Sequence, residues 1–234
     1  MTEPAFITER RAPLTKERVL RAAVDLADRD GIDALSMRKL GQELGVEAMA
    51  LYRHVRNKDD ILDGAIDVVV GEIDTPRPTG DWQDSMRTLA LAARQVMLRH
   101  PWAPPVIVER PEIGPSTLRH INAVMEILRG AGFSLEMAHH AIHVLGSRML
   151  GFTQDPFDDS TDARPDPETA ARLARELGVN FPYLGELAAA VSHEGGLGGC
   201  DDDFEFEFGL DLILEGLDRR RAGEPGSTGG STGV

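Results

Sequence analysis

LSMRKLGQELGVEAMALYRHVRNK, residues 35–58, holds two short helical patterns around a glycine turn. Ser36 is placed to cap the first, with Leu40 and Leu44 on its inner face. Gly45 supplies the turn, because glycine takes positive φ there without strain. The next pattern, about Ala48–Val55, buries Leu51 and Val55 and leaves Tyr52, Arg53 and His54 outward. Basic residues crowd the second half of the stretch, with Arg53, Arg56 and Lys58 close together. This is the pattern of a helix-turn-helix that enters a DNA groove.

Working outward, Thr15 is an N-cap for an earlier helix, with Val19, Ala22, Ala23 and Leu26 on one face and Gly31 at its end. Ile32 and Leu35 return the chain to that face. Downstream, Asn57 caps a fourth helix with Asp59 and Asp60 in its first turn, where acidic groups are favoured. That helix runs to about Ile73, and Pro76–Gly80 reads as a junction. Helical patterns follow at about 81–100, 114–130 and 134–152, with a short proline-bounded turn between the first two. Residues 153–167 read as a loop. Further helical patterns lie at about 168–177 and 183–192, interrupted by Pro182, before the loose stretch SHEGGLGGCDDD. Phe204 to Leu212 alternates with period two, as a strand does, but no partner strand is evident and the run continues into Ile213, Leu214 and Leu217. It is read as helix. The expected division is a flexible arm over 1–13, a DNA-binding domain over 14–60, a ligand-binding and dimerisation domain over 61–221 and a disordered tail over 222–234.

Composition narrows the function classes. The chain has 234 residues and a net charge of −14. Residues 1–60 carry eleven basic and eleven acidic residues, and residues 61–234 carry fourteen and twenty-eight. All three lysines, Lys16, Lys39 and Lys58, fall in the first segment, and residues 36–58 hold five basic and two acidic residues. A locally positive head on an acidic body can engage phosphates while the body repels DNA. No apolar run approaches the roughly 18 residues of a membrane span, so no membrane partner is expected. Nothing resembles an export signal. Cys200 is the only cysteine, which fits a reducing cytoplasm and excludes an internal disulfide. No cofactor is expected.

The string Leu51-Tyr52-x-His54-Val55-x-Asn57-Lys58, set after two helices near the N-terminus, resembles the TetR family of bacterial one-component regulators over roughly residues 14–70. The remainder is similar to the body of the tetracycline repressors. Trp82-Gln83-Asp84, Arg110-Pro111, Gly132-Phe133-Ser134-Leu135-Glu136, Leu150-Gly151 and Phe208-Gly209-Leu210 fall in matching order. The resemblance implies an all-α fold: a three-helix helix-turn-helix domain followed by a larger helical domain for ligand binding and dimerisation. It implies a homodimer that reads a palindromic double-stranded DNA operator and answers a small-molecule effector. Tyr52, His54 and Lys58 match positions that hold the DNA backbone, although Tyr52 and His54 could equally pack the head. Met37, Arg38, Ala48, Met49 and Arg53 are the expected base readers; small apolar groups read thymine methyls and Arg38 suits a guanine edge or phosphate.

The effector region departs from the tetracycline repressors. Val106 stands where they place a magnesium-binding histidine. Leu89 and Ala93 replace their drug-contacting asparagine and phenylalanine. Asp155 falls where they set a carboxylate behind the metal ligands, but standing alone it reads first as an ordinary loop aspartate. A fairly apolar effector is therefore expected in place of a magnesium chelate, with Leu89, Ala93, Met97, Trp102, Val106, Arg110, Met125, Met137 and His140 as candidate walls. Each is equally a candidate for core packing. His139, His140 and His143 form an HHxxH string in which an i,i+4 pair could clamp zinc. The general-base glutamate of a zinc hydrolase is absent, however. Asp201–Asp203 reads as a solvated run or helix cap before a calcium site. The rival functions are a DNA-binding regulator without an effector and, more remotely, a metal-dependent enzyme built on these histidines.

Overall fold

The computed structural model of the chain describes residues 13–75, 80–110, 112–151, 172, 175–176, 178–191 and 202–223. Most of the expected arm, the core of the Pro76–Gly80 junction, the 153–167 loop with Asp155, most of the 168–177 pattern, Cys200, Asp201 and the end of the tail lie outside the described residues. All regular structure among the described residues is helical: α1 (Lys16–Asp30), a 3-10 turn (Ile32–Ala34), α2 (Met37–Leu44), α3 (Ala48–Leu51), α4 (Lys58–Gly71), α5 (Trp82–Arg99), α6 (Ala103–Glu109), α7 (Pro115–Gly130), α8 (Leu135–Gly151), α9 (Pro182–Val191) and α10 (Asp202–Gly223). No helix among the described residues is long and apolar enough to cross a membrane. The chain packs as two compact units, Met1–Arg77 with Thr88–Val124 and Pro78–Arg87 with Met125–Val234.

In the first unit, local signals set the helix ends. The Thr15 side chain accepts the Arg18 N–H at 3.2 Å, and Ser36 Oγ accepts the Lys39 N–H at 3.2 Å. These caps satisfy donors that the first helical turn leaves orphaned. Gly45 ends α2 at φ 65°, ψ 38°, the left-handed conformation the turn requires. The apolar faces then close on one another: Val19, Leu20, Ala22, Ala23 and Leu26 of α1 form one buried cluster with Leu35, Leu40, Leu44, Leu51, Val55 and Ile61. Each large aliphatic side chain in it contributes about 1.5–3 kcal/mol by leaving water. The third pattern is α-helical only over Ala48–Leu51; beyond it, turn bonds from His54 N–H to Leu51 O (2.8 Å) and Val55 N–H to Leu51 O (3.0 Å) hold the chain.

The segment expected as a proline-bounded turn is instead a seven-residue helix, α6. Pro104 and Pro105 occupy its first turn, where a backbone N–H has no helical acceptor and a fixed φ assists. Helix α6 packs on α4.

In the second unit, α10 packs on α8. The period-two segment is helical throughout. Phe206, Leu210, Leu214 and Leu217 are buried along one face, while Phe204 and Phe208, one turn apart, are exposed and stack with centroids 6.3 Å apart. Alternation thus arises from a helix with two apolar faces. Asp202 and Asp203 stand in its first turn, where they complement the helix dipole. Trp82 meets buried Phe133 edge-on at 4.8 Å and donates its indole N–H to Asp218 at 3.3 Å, with the Arg221 guanidinium over both rings.

Candidate nucleic-acid interface and effector region

Most cations of the head are already committed to carboxylates. Arg29 pairs with Glu43 at 2.9 Å, Lys39 with Asp30 at 2.7 Å, Lys16 with Asp60 at 3.3 Å and Arg21 with Glu17 at 3.0 Å. Arg38, Arg53 and Lys58 are different: all three are exposed, and none is paired with a carboxylate among the described residues. Unpaired cations are the ones free to exchange counterions for phosphates.

The other expected DNA contacts fall around them. Tyr52 is exposed, and His54 is half-buried below the turn that follows α3. Met49, one helical turn before Arg53, is 74% exposed, whereas Ala48 and Ala50 are half-buried. Met37 rests partly buried against the head core. Lys58 opens α4, whose entry is fixed reciprocally: Asn57 Oδ1 accepts the Asp60 N–H at 2.8 Å, and Asp60 accepts the Arg56 N–H at 2.9 Å. The Arg56 N–H, with help from Lys16 and against the cost of burial, holds the Asp60 carboxyl below its usual range.

One close approach escaped the sequence reading. A Cβ on Gly41 would lie 2.9 Å from Val46 O and 3.2 Å from Ala48 N. Glycine here lets α2 approach the backbone that starts α3, and so sets the depth of the turn.

Six candidate effector residues lie in the first unit. Leu89, Ala93 and Met97 are buried along α5. Trp102 is buried and gives its indole N–H to Asp28 Oδ1 of α1 at 2.6 Å. Beside it, buried His100 sets Nδ1 against Asp28 at 2.8 Å and Nε2 against Glu72 at 3.2 Å, and Arg99 reaches the same Glu72 at 2.9 Å. Burial works against ionised Glu72, but these two partners outweigh it and lower its pKa. Val106 is half-buried on α6. Arg110, at the end of α6, joins Asp63 and reaches Asp59 at 3.2 Å, both on α4. These bonds, that to Asp63 foremost, raise its already high pKa.

The other three lie in the second unit: Met125 and Met137 half-buried, and His140 exposed on α8 with Nε2 4.0 Å from Glu136. His120 of α7, in the first unit, was not singled out from the sequence. Its Nδ1 is buried without a hydrogen-bond partner among the described residues, and burial lowers its pKa. Buried nitrogens without a partner are uncommon in folded proteins.

Residues 19–65 match the model of the bacterial regulatory proteins of the tetR family, and residues 75–221 match the tetracyclin repressor-like C-terminal domain. An HTH-type transcriptional regulator of Saccharopolyspora erythraea is 44% identical over 205 residues, covering 87% of this chain and 84% of the relative. The HTH-type transcriptional repressor DrrR1 of Streptomyces coeruleorubidus is 31% identical over 212 residues, covering 88% and 77%. Among solved structures, the Streptomyces coelicolor TetR family protein ActR in complex with actinorhodin superposes with a TM-score of 0.74 at 31% identity, covering 91% of this chain and all of that one.

Proposed function

The chain belongs to the TetR family of bacterial regulatory proteins, and from that premise we propose that it is a ligand-responsive repressor released from a palindromic operator by a small, fairly apolar effector. The observation that carries the DNA-binding half is the set of unpaired cations, Arg38, Arg53 and Lys58, in a head whose other cations are largely neutralised. Arg38, Met49 and Arg53 are the base readers with Ala48 and Met37 beside them, and Tyr52, His54 and Lys58 hold phosphates. The protein acts in the cytoplasm, where the chromosome lies.

The second apolar face of α10 supports homodimerisation. Phe204, Phe208 and Leu212 recur at four-residue spacing, exposed, opposite the face that packs on α8. A second copy covers such a stripe by isologous packing. Two heads then reach successive major grooves about 34–36 Å apart.

The effector enters the helical body, and support for one comes from ActR, solved with actinorhodin. Leu89, Ala93, Met97 and Val106 bring apolar surface and Arg110 a charge. A shift of α6 passes to α4 through Arg110, Asp63 and Asp59, and α4 begins at the phosphate-holding Lys58. The effector moves this balance only through its different affinities for the two states. The protein works by binding, without catalysis; its named relatives are regulators.

Footprinting on the DNA flanking the gene, in competitor and moderate salt, tests the reading. A protected palindrome whose affinity falls steeply with salt is expected. A folded dimer that protects no DNA, flanking or selected, at any salt would overturn it.

A further inference from the structure

The HHxxH string of α8 has no part in DNA binding or in the contacts between α6 and α4. His139 and His143 are both exposed and lie one helical turn apart, with ring centroids 4.6 Å from each other and ring planes at 79°. A metal bound about 2.0–2.1 Å from an imidazole nitrogen sits about 3.2 Å from that ring's centroid. Two rings in cis positions, about 90° apart around one ion, therefore have centroids about 4.5 Å apart, and about 5.2 Å at the tetrahedral angle. The observed separation of 4.6 Å lies in the range two ligating rings need, and residues four apart on a helix share one face.

We propose that His139 and His143 form a two-donor chelate for a divalent transition metal of the kind imidazole suits, such as Ni²⁺, Cu²⁺ or Zn²⁺. Among the described residues no group of three or more His, Cys, Asp or Glu side chains is placed to hold an ion. The remaining positions are filled by water or by donors of a second copy across the α8 face. His140 is not required: its ring lies 5.7 Å from that of His139 and its Nε2 faces Glu136.

The test is calorimetric titration of the untagged full chain with NiCl₂, with Cu²⁺ electron paramagnetic resonance as a second probe. Saturable binding, at one ion per chain or one per two chains, is expected, together with nitrogen superhyperfine structure from two imidazoles. His139→Ala and His143→Ala should each weaken binding by more than about tenfold, since losing even an outer partner of a metal site costs that much. His140→Ala should retain it. All three positions are exposed, and circular dichroism checks that the variants stay folded. Absence of saturable Ni²⁺ binding, binding unchanged in the His139→Ala/His143→Ala double variant, or equal loss in His140→Ala would each overturn the assignment.

Discussion

Arg110, which ends α6, donates from Nε to the carboxylate of Asp63 in the middle of α4. The pair is 18% and 27% exposed, so it is worth more than a surface ion pair, whereas Asp59, the second partner, is 70% exposed. A partly buried charged hydrogen bond contributes about 1.5–3 kcal/mol; an exposed pair gives about 0–1 kcal/mol. A double-mutant cycle on Arg110→Ala and Asp63→Ala by urea unfolding should therefore show a clear coupling energy, and the same cycle with Asp59→Ala a smaller one. Equal couplings would mean that burial does not decide which contact joins the helices.

Lys58→Ala and Arg38→Ala should weaken operator binding in different ways. Lys58 is assigned to phosphate, so its loss should weaken every sequence alike and reduce the slope of log K against log salt by about 1. Arg38 is assigned to a base edge, so its loss should cost about 1–3 kcal/mol on the operator and relax preference at one position. Binding isotherms on operator and scrambled DNA over a salt series separate the two. A sequence-dependent loss for Lys58→Ala would exchange the assignments.

The head was largely legible because its signals are local. Thr15, Ser36 and Asn57 cap as expected, and Gly45 makes the turn. Gly41 was not, since its need for a missing Cβ comes from the backbone of Val46 and Ala48 after the turn. Helix α6 was hidden by Pro104 and Pro105, which break a helix interior but suit a first turn. Trp102 reads from the sequence as an effector wall or core residue, but its bond to Asp28 joins residues far apart in sequence and leaves no periodicity. The same holds for His120, whose burial depends on how α7 packs. The Phe204–Phe208 alternation could be resolved as helix because it runs on into Leu214 and Leu217.

Met49 offers a thioether where a polar reader would carry hydrogen bonds, and it stands 74% exposed on the head. If it packs on a thymine methyl, replacing that thymine by uracil in the protected half-site should cost about 0.8 kcal/mol, the value of one buried methyl group. The penalty should vanish in Met49→Ala, which has already lost the contact. Uracil scanning of each half-site thymine with both proteins gives the answer. No thymine whose penalty depends on Met49 would remove this residue from the base-reading set.

His120 sets the expected response to mild acid. Burial lowers its folded-state pKa, while in the unfolded chain it titrates near about 6.5. Below that pH the unfolded chain takes up a proton that the folded chain resists, so unfolding is favoured. The stability contributed by neutral His120 is whole above about pH 6.5 and is lost as pH falls from there towards the folded pKa. Glu72 and Asp60, whose pKa values are lowered, act in the same direction but in a separate window, beginning near about pH 4.5. His120→Leu should therefore flatten the stability profile between about pH 7 and pH 5.5 while leaving the steeper fall at lower pH. Urea midpoints measured across that range for both proteins test it. Parallel profiles would show that protonation of His120 is not what destabilises the fold.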